Sequence, residues 1–200
     1  MSSIIELLMD QLKGDTLGEI SQKVGAREED TAQAMPEMLG LLTEALARNS
    51  SREEGAQALS NALAKDHDGS LLDNLPDFIN NFQDGPGDGI LKHVLGARRS
   101  AVEKGLSKKS SLDPGSISKL LTMLAPLVMG SLGRSQKNKG LDVSALADLL
   151  GAERNQARRV APQSTGLLGQ LLDADGDGDI VDDVAKIGGG LLRNLFRKKR

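Results

Sequence analysis

The chain has 200 residues with 25 Lys/Arg against 28 Asp/Glu, and it contains three Phe but no Trp, Tyr or Cys. A chain of this length can bury roughly 70% of its unfolded surface, so it can form a core, which must be aliphatic. The absence of cysteine excludes disulfides, a thiolate nucleophile and Cys-based zinc sites, and it suits a reducing compartment such as the cytoplasm, where we expect the protein.

Helix signals dominate from the N-terminus onward. Three helix starts have the capping-box spacing of Ser or Thr followed three residues later by Glu. These pairs are Ser3 with Glu6, Thr16 with Glu19, and Ser51 with Glu54. Asp113 followed by Pro114 predicts the N-cap and first position of a long buried helix that runs to about Gly133. No segment alternates apolar and polar residues with a period of two, so the sequence predicts an all-α fold.

A short signature predicts corners between helices. At residues 24–28, 95–99 and 150–154 an apolar residue is followed by a glycine, an alanine and then two charged residues. This order is typical of a helix that ends at a glycine cap. Turn-forming residues predict linkers at 84–89, 136–140 and 161–166. The predicted fold is therefore a multi-helical array of two lobes with helix-turn-helix-like corners. Its parts are an acidic helical lobe at 1–83, a linker at 84–89, a basic helical lobe at 90–155, and a linker, Asp-rich loop and basic tail at 156–200.

The second lobe resembles a known family. Residues 89–96 read GILKHVLG, residues 101–107 read AVEKGLS, and residues 119–130 read KLLTMLAPLVMG. The pattern of His-x-Leu-Gly followed by Met-Leu-Ala-Pro-Leu-Val-Met-Gly resembles a widespread bacterial family of unknown function that includes the YidB-like proteins. The likeness covers roughly residues 15–150. It implies an all-helical array and supplies no catalytic residues.

The C-terminal part contains a candidate calcium loop. Asp173, Asp175, Asp177 and Asp179 follow the spacing of the first half of a calcium-binding loop, with a glycine at the turn. The position of the closing bidentate acid is occupied by Val184, so a strict EF-hand is not expected. The sequence leaves two alternatives: weak Ca²⁺ binding by these aspartates, or a solvated turn that caps a short C-terminal helix.

Catalytic patterns are weak. The two histidines, His67 and His93, have no neighbouring pattern of a nucleophile or a metal pair, and His93 is best interpreted as a packing or capping residue. The glycines at 85–89 lack the strand and the Lys-Ser/Thr of a phosphate loop. We therefore expect no enzyme. The apolar window at 120–132 is shorter than the ~20 residues of a membrane-spanning helix, and Glu6 and Asp10 interrupt the apolar N-terminal stretch, so we expect neither an integral membrane segment nor a secretory signal.

Charge is segregated along the chain. Residues 1–90 have 6 Lys/Arg against 17 Asp/Glu, and residues 91–140 have 10 against 2, giving net charges of −11 and +8. Such a split favours an interaction module in which opposite lobes pair within one chain, between copies or with a protein partner.

The alternative function is nucleic-acid binding through the basic lobe. Two corners have spacings suited to helix-turn-helix units, namely Ile20, Ser21, Gly25 and Thr31, and Leu106, Ser107, Ser111 and Ile117. The first corner is followed by acidic residues, which opposes phosphate contact, and the scarcity of aromatic residues disfavours stacking on single strands. The basic residues at 193–200 leave three alternatives open: a solvated tail, contact with a membrane or nucleic acid, or contact with the aspartates.

Overall fold

The computed structural model describes residues 3–160, and within them every regular element is a helix. The all-α prediction is confirmed. The α-helices of this range are α1 (Ile4–Gln11), α2 (Asp15–Val24), α3 (Glu28–Asn49), α4 (Glu53–Asp66), α5 (Leu75–Asn80), α6 (Asp84–Leu95), α7 (Arg99–Lys109), α8 (Pro114–Lys139) and α9 (Val143–Val160). Two 3₁₀ turns, Ser70–Asp73 and Gly96–Arg98, lie between α4 and α5 and between α6 and α7.

Helix α8 forms the centre of the fold. It contacts α1, α2, α3, α4, α6 and α7, and its leucines join one aliphatic cluster shared by most of the helices. The carboxylate of Asp113 accepts hydrogen bonds from the N–H groups of Gly115 and Ser116, so the predicted N-cap is confirmed. The predicted end at Gly133 is wrong. Gly133 lies inside the helix against the main chain of His67, and the left-handed cap is formed by Gly140, at φ 60° and ψ 40°.

Helix α8 also meets the length and composition of a membrane span, with a mean hydropathy of 1.3. However, 78% of that apolar window is buried among the other helices. Its apolar side chains therefore have protein neighbours, as expected of a core helix.

One of the three predicted capping boxes forms. The Ser3 hydroxyl accepts from the N–H of Glu6 while the Glu6 carboxylate accepts from the N–H of Ser3, both at 3.0 Å. Helix α2 begins at Asp15, which places Thr16 inside its first turn. Helix α4 begins at Glu53, and the Ser51 hydroxyl donates instead to the carbonyl of Arg48. These two predictions are wrong because each helix begins at a residue other than the one its motif indicated.

The predicted corners and linkers are corrected in part. Gly25 adopts the left-handed conformation and ends α2, as predicted, and Gly96 has a positive φ of 53° at the end of α6. Gly151 is not a corner, because it lies within α9, whose buried stripe continues past it from Leu150 to Ala157. Residues 84–89 are not a linker but the first half of α6, and residues 136–139 are the last turn of α8.

Helices from the two ends of the described range pack together. Helix α9 packs against α3 and α4, and α1 packs against both α8 and α9. The Glu153 carboxylate on α9 accepts a hydrogen bond from the N–H of Ile4 at 2.9 Å, so a residue of α9 caps the start of α1. Burial raises the pKa of Glu153, and the bonds from Ile4 and Ile5 oppose that rise. The acidic and basic parts of the chain therefore share one core.

Candidate functional site

A cleft of about 830 Å³ lies between α4 and α6. The segment that joins α3 to α4 forms one end of it. Aliphatic side chains make up most of the interior, namely Leu46, Leu59, Ala62, Ile90, Val94 and Met129. A cavity of this size, mainly apolar with a few polar groups, has the dimensions of a small-ligand site.

Asn49 joins two walls of the cleft. Its side-chain amide donates to the carbonyls of His93 and Val94 at 3.4 and 3.3 Å, which ties the end of α3 to the last turn of α6. This link spans 44 residues of sequence, so no local pattern could have indicated it. It fixes the end of α3 to α6 at the border of the cleft.

Both histidines line this cleft. His93 Nδ1 lies 2.8 Å from the carbonyl of Gly89 within α6, and His67 is the C-cap of α4. Burial lowers the pKa of His67, so its ring is held in the neutral form to a lower pH than a free histidine, while Asp66 opposes the shift. The sequence marked both residues separately but did not place them in one site.

The end of the cleft formed by the α3–α4 segment is polar. Ser50 is only 3% exposed, and its hydroxyl oxygen is buried without a hydrogen-bond partner. Helix α4 begins at Glu53, three residues later, with Arg52 at the N-cap, and the Arg52 side chain makes no capping hydrogen bond. Such a helix start has a partial positive charge. A buried polar group without a partner among the described residues is costly.

A buried carboxylate next to the cleft gathers three arginines. Glu44 on α3 is 1% exposed. It pairs with Arg48 Nε at 3.1 Å, Arg154 Nε at 2.8 Å and Arg158 Nη2 at 3.3 Å. Three guanidinium groups around one carboxylate leave a surplus of two positive charges, and Arg48 itself lines the cleft. The only sequence signal for this cluster is a single acid within the apolar run LLTEALA.

Several ion pairs join the acidic and basic parts of the chain. Arg134 pairs with Asp73 at 2.6 Å, and Lys137 lies 3.7 Å from Asp68. The first pair connects α8 to the 3₁₀ turn after α4. The second connects α8 to the segment just before that turn. Together with the Glu44 cluster, they satisfy part of the segregated charge within one molecule.

The predicted calcium ligands Asp173, Asp175, Asp177 and Asp179 lie outside the described residues. Within residues 3–160, no group of three or more His, Asp or Glu side chains is arranged to hold a metal ion.

Comparison with known families adds one match. Residues 6–135 match the family described as bacterial protein of unknown function (DUF937). The chain belongs to this family. All residues that line the cleft fall inside the DUF937 match, whereas Arg154 and Arg158 lie beyond it. Neither a curated protein nor a solved structure matches the chain significantly. The resemblance to a bacterial family of unknown function is confirmed, and the narrower YidB-like assignment stays a prediction.

Proposed function

We propose that this DUF937 member is a non-enzymatic helical interaction module whose binding site is the cleft between α4 and α6. The observation that supports this most is the cleft itself, about 830 Å³ in volume, whose aliphatic interior is bordered by the polar side chains of Arg48, Arg52 and the two histidines. Open apolar volume with a few polar groups at its border is typical of a ligand site rather than of a packed core.

The two histidines support binding better than catalysis. His93 bonds to its own helix through Nδ1, and His67 ends α4, so each has a structural role. A general base needs a reacting group within hydrogen-bond reach. A nucleophile needs an adjacent base. We accordingly assign both histidines to the wall of the site, and a cytoplasmic location remains part of the proposal.

The module can be tested by filling the cleft. Gly89 lines it, and a Cβ at this position would meet no atom within 4 Å, so Gly89→Leu places a side chain in open space. Gly85→Leu is the matched control, one turn earlier in α6, equally open and outside the lining. The probes are an aliphatic carboxylate, an aliphatic alcohol and an amphipathic helical peptide. At least one should raise the Tm of the wild type and Gly85→Leu but not of Gly89→Leu, because binding to the native state stabilises it. Equal responses of all three proteins would refute the site.

The charge split raised the possibility that the opposite charges pair within one chain or between copies, and the observed ion pairs favour pairing within one chain. Arg134 with Asp73 and the arginines with Glu44 pair within one molecule. We therefore propose that the segregated charge helps to join the acidic and basic parts of one chain. An exposed pair such as Arg134 with Asp73 contributes little by itself, about 0 to 1 kcal/mol, whereas the Glu44 cluster is buried.

Nucleic-acid binding is the second candidate, and the exposed lysines Lys104, Lys108 and Lys119 on α7 and α8 are the observation that favours it. Such a surface would contact phosphates without reading sequence. If retention of the protein on a heparin column falls steeply with salt, nucleic-acid binding becomes better supported than binding in the cleft.

Weak calcium binding by Asp173, Asp175, Asp177 and Asp179 is a separate proposal, supported by the sequence spacing alone. We expect a Kd on the order of 10⁻⁴ M or weaker, because Val184 occupies the place of the bidentate acid. Calorimetry on the full chain should give a calcium-binding heat that the Asp175→Ala/Asp177→Ala variant lacks. Identical heats from both proteins would leave a solvated turn as the better interpretation.

A further inference from the structure

We propose that residues 167–172 of this chain, which read LLGQLL, fold back onto the cleft between α4 and α6 and cover its aliphatic interior. We call these residues the leucine segment. This inference rests on the proposed function, because it takes the cleft as a binding site and names an occupant within the same chain. A partner would then have to displace the leucine segment before it entered the cleft.

The leucine segment is the apolar part of an uncharged stretch. Residues 161–172 contain no Asp, Glu, Lys or Arg, and four of the last six are leucines. Among the described residues, by contrast, Leu7 is the one large apolar side chain that is exposed to solvent. Because each leucine removed from water stabilises the folded chain, four leucines in so short a segment favour a place where protein covers them.

The cleft has the surface that such a segment needs. Its walls include Ala58 and Ala62 on α4 and Ile90 and Val94 on α6. Ala58 is exposed and the other three are half-buried, so the aliphatic core continues outward between the two helices. A leucine side chain placed between these walls would contact apolar neighbours on both sides. Contacts of this kind need no charged partner.

The polar groups at the border of the cleft favour an uncharged occupant. Arg48 pairs with the buried Glu44 at 3.1 Å, so its charge already has a partner. Burial lowers the pKa of His67, so this ring is neutral at pH 7. A charged side chain that entered the aliphatic interior would lose its hydration. The other leucine-rich stretch of the C-terminal part, residues 191–196, contains Arg193 and therefore suits the cleft less well.

The end of α9 lies close enough for the chain to return to the cleft. The described range ends with α9 at Val160, and Arg158 in its last turn pairs with Glu44 Oε1 at 3.3 Å. Arg48, which lines the cleft, bonds to the same oxygen. Residues 161–166 connect α9 to the leucine segment, and six extended residues span up to about 20 Å. So short a connection gives the leucine segment a high local concentration at the cleft.

Disulfide trapping on the full chain tests the contact, because the chain has no cysteine of its own that could compete. Ala58→Cys on the wall of the cleft is combined with Gln170→Cys in the leucine segment. The matched control combines Gln170→Cys with Ala64→Cys, since Ala64 is an exposed alanine of the same helix outside the cleft. In a glutathione redox buffer the first pair should form an intrachain disulfide at least tenfold faster than the control pair, because the two Cα atoms must approach within about 7 Å.

Charged substitutions in the leucine segment test the apolar nature of the contact. Leu171→Asp/Leu172→Asp should slow trapping by the first pair at least fivefold, because two carboxylates would lose hydration in the aliphatic interior. Ser164→Asp/Thr165→Asp adds the same charges to the connecting residues and should keep the rate within about twofold. A fluorescent synthetic peptide of residues 163–173 should bind the Leu171→Asp/Leu172→Asp protein at least fivefold more tightly than the wild type, because the tethered segment no longer competes for the cleft.

The outcomes separate the leucine segment from the module. Equal trapping rates for the Ala58 and Ala64 pairs would overturn the proposal, as would equal affinity of the peptide for the wild type and Leu171→Asp/Leu172→Asp. Disulfides between molecules, with a yield that rises with protein concentration, would also overturn it and assign the segment to a second copy. If trapping fails while the helical peptide still distinguishes Gly89→Leu from Gly85→Leu, the leucine-segment proposal fails and the module stands. If trapping fails and no probe distinguishes those two variants, both fail.

Discussion

Gly87→Ala should destabilise the fold by roughly 3 kcal/mol or more. A Cβ at this position would lie 2.7 Å from Thr122 Cγ2 and closer still to the Thr122 carbonyl oxygen, so α6 could not keep its contact with α8. Overpacking a well-filled site typically costs about 1 to 3 kcal/mol, and here the opposing atoms include main chain that cannot rotate away. Urea unfolding followed by circular dichroism measures the change in free energy.

Gly89→Ala is the matched control for Gly87→Ala. It lies in the same helix two residues later, and its added Cβ meets nothing within 4 Å. It should stabilise the protein by about 0.5 to 1 kcal/mol, because alanine favours the helix and restricts the unfolded chain. If both variants shift stability in the same direction by similar amounts, the close approach of α6 to α8 at Thr122 is wrong.

Leu124→Ala should cost about 2 to 5 kcal/mol. Leu124 is fully buried near the middle of α8, where it belongs to the aliphatic cluster. Truncation removes its buried surface and leaves a cavity that rigid neighbouring helices fill only in part. Thermal and urea unfolding should both detect the loss.

Leu7→Ala is the control for Leu124→Ala, because Leu7 is 55% exposed. The same chemical change at this position should alter stability by no more than about 0.5 kcal/mol. A Leu124→Ala protein as stable as Leu7→Ala would contradict the central position of α8.

The candidate site was visible in the sequence only as separate residues. His67 and His93 attracted attention as the two histidines of the chain, and residues 85–89 as a glycine-rich stretch. That stretch predicted a linker because Gly and Pro usually interrupt helices. In the structure Pro86 occupies the first turn of α6, where a missing N–H costs nothing, and Gly87 allows close packing against α8.

Local signals sufficed where the physical cause is local. Asp113 bonds to N–H groups two and three residues away, Ser3 and Glu6 cap one another, and Gly25 takes a conformation that depends on its own missing side chain. The aliphatic repeat of α8 likewise predicted burial, because one helix face needs a partner. The sequence by itself therefore determined the helical class and the central helix.

Only the tertiary structure decided which distant groups meet. Glu44 meets arginines more than 100 residues away on α9, Glu153 caps α1, and Asn49 links α3 to α6. Gly151 stays helical because its neighbours on α9 are buried against other elements. These outcomes depend on three-dimensional packing, in which contacts between distant segments outweigh the weak preference of any single residue, so no local pattern could have determined the cleft or its charge.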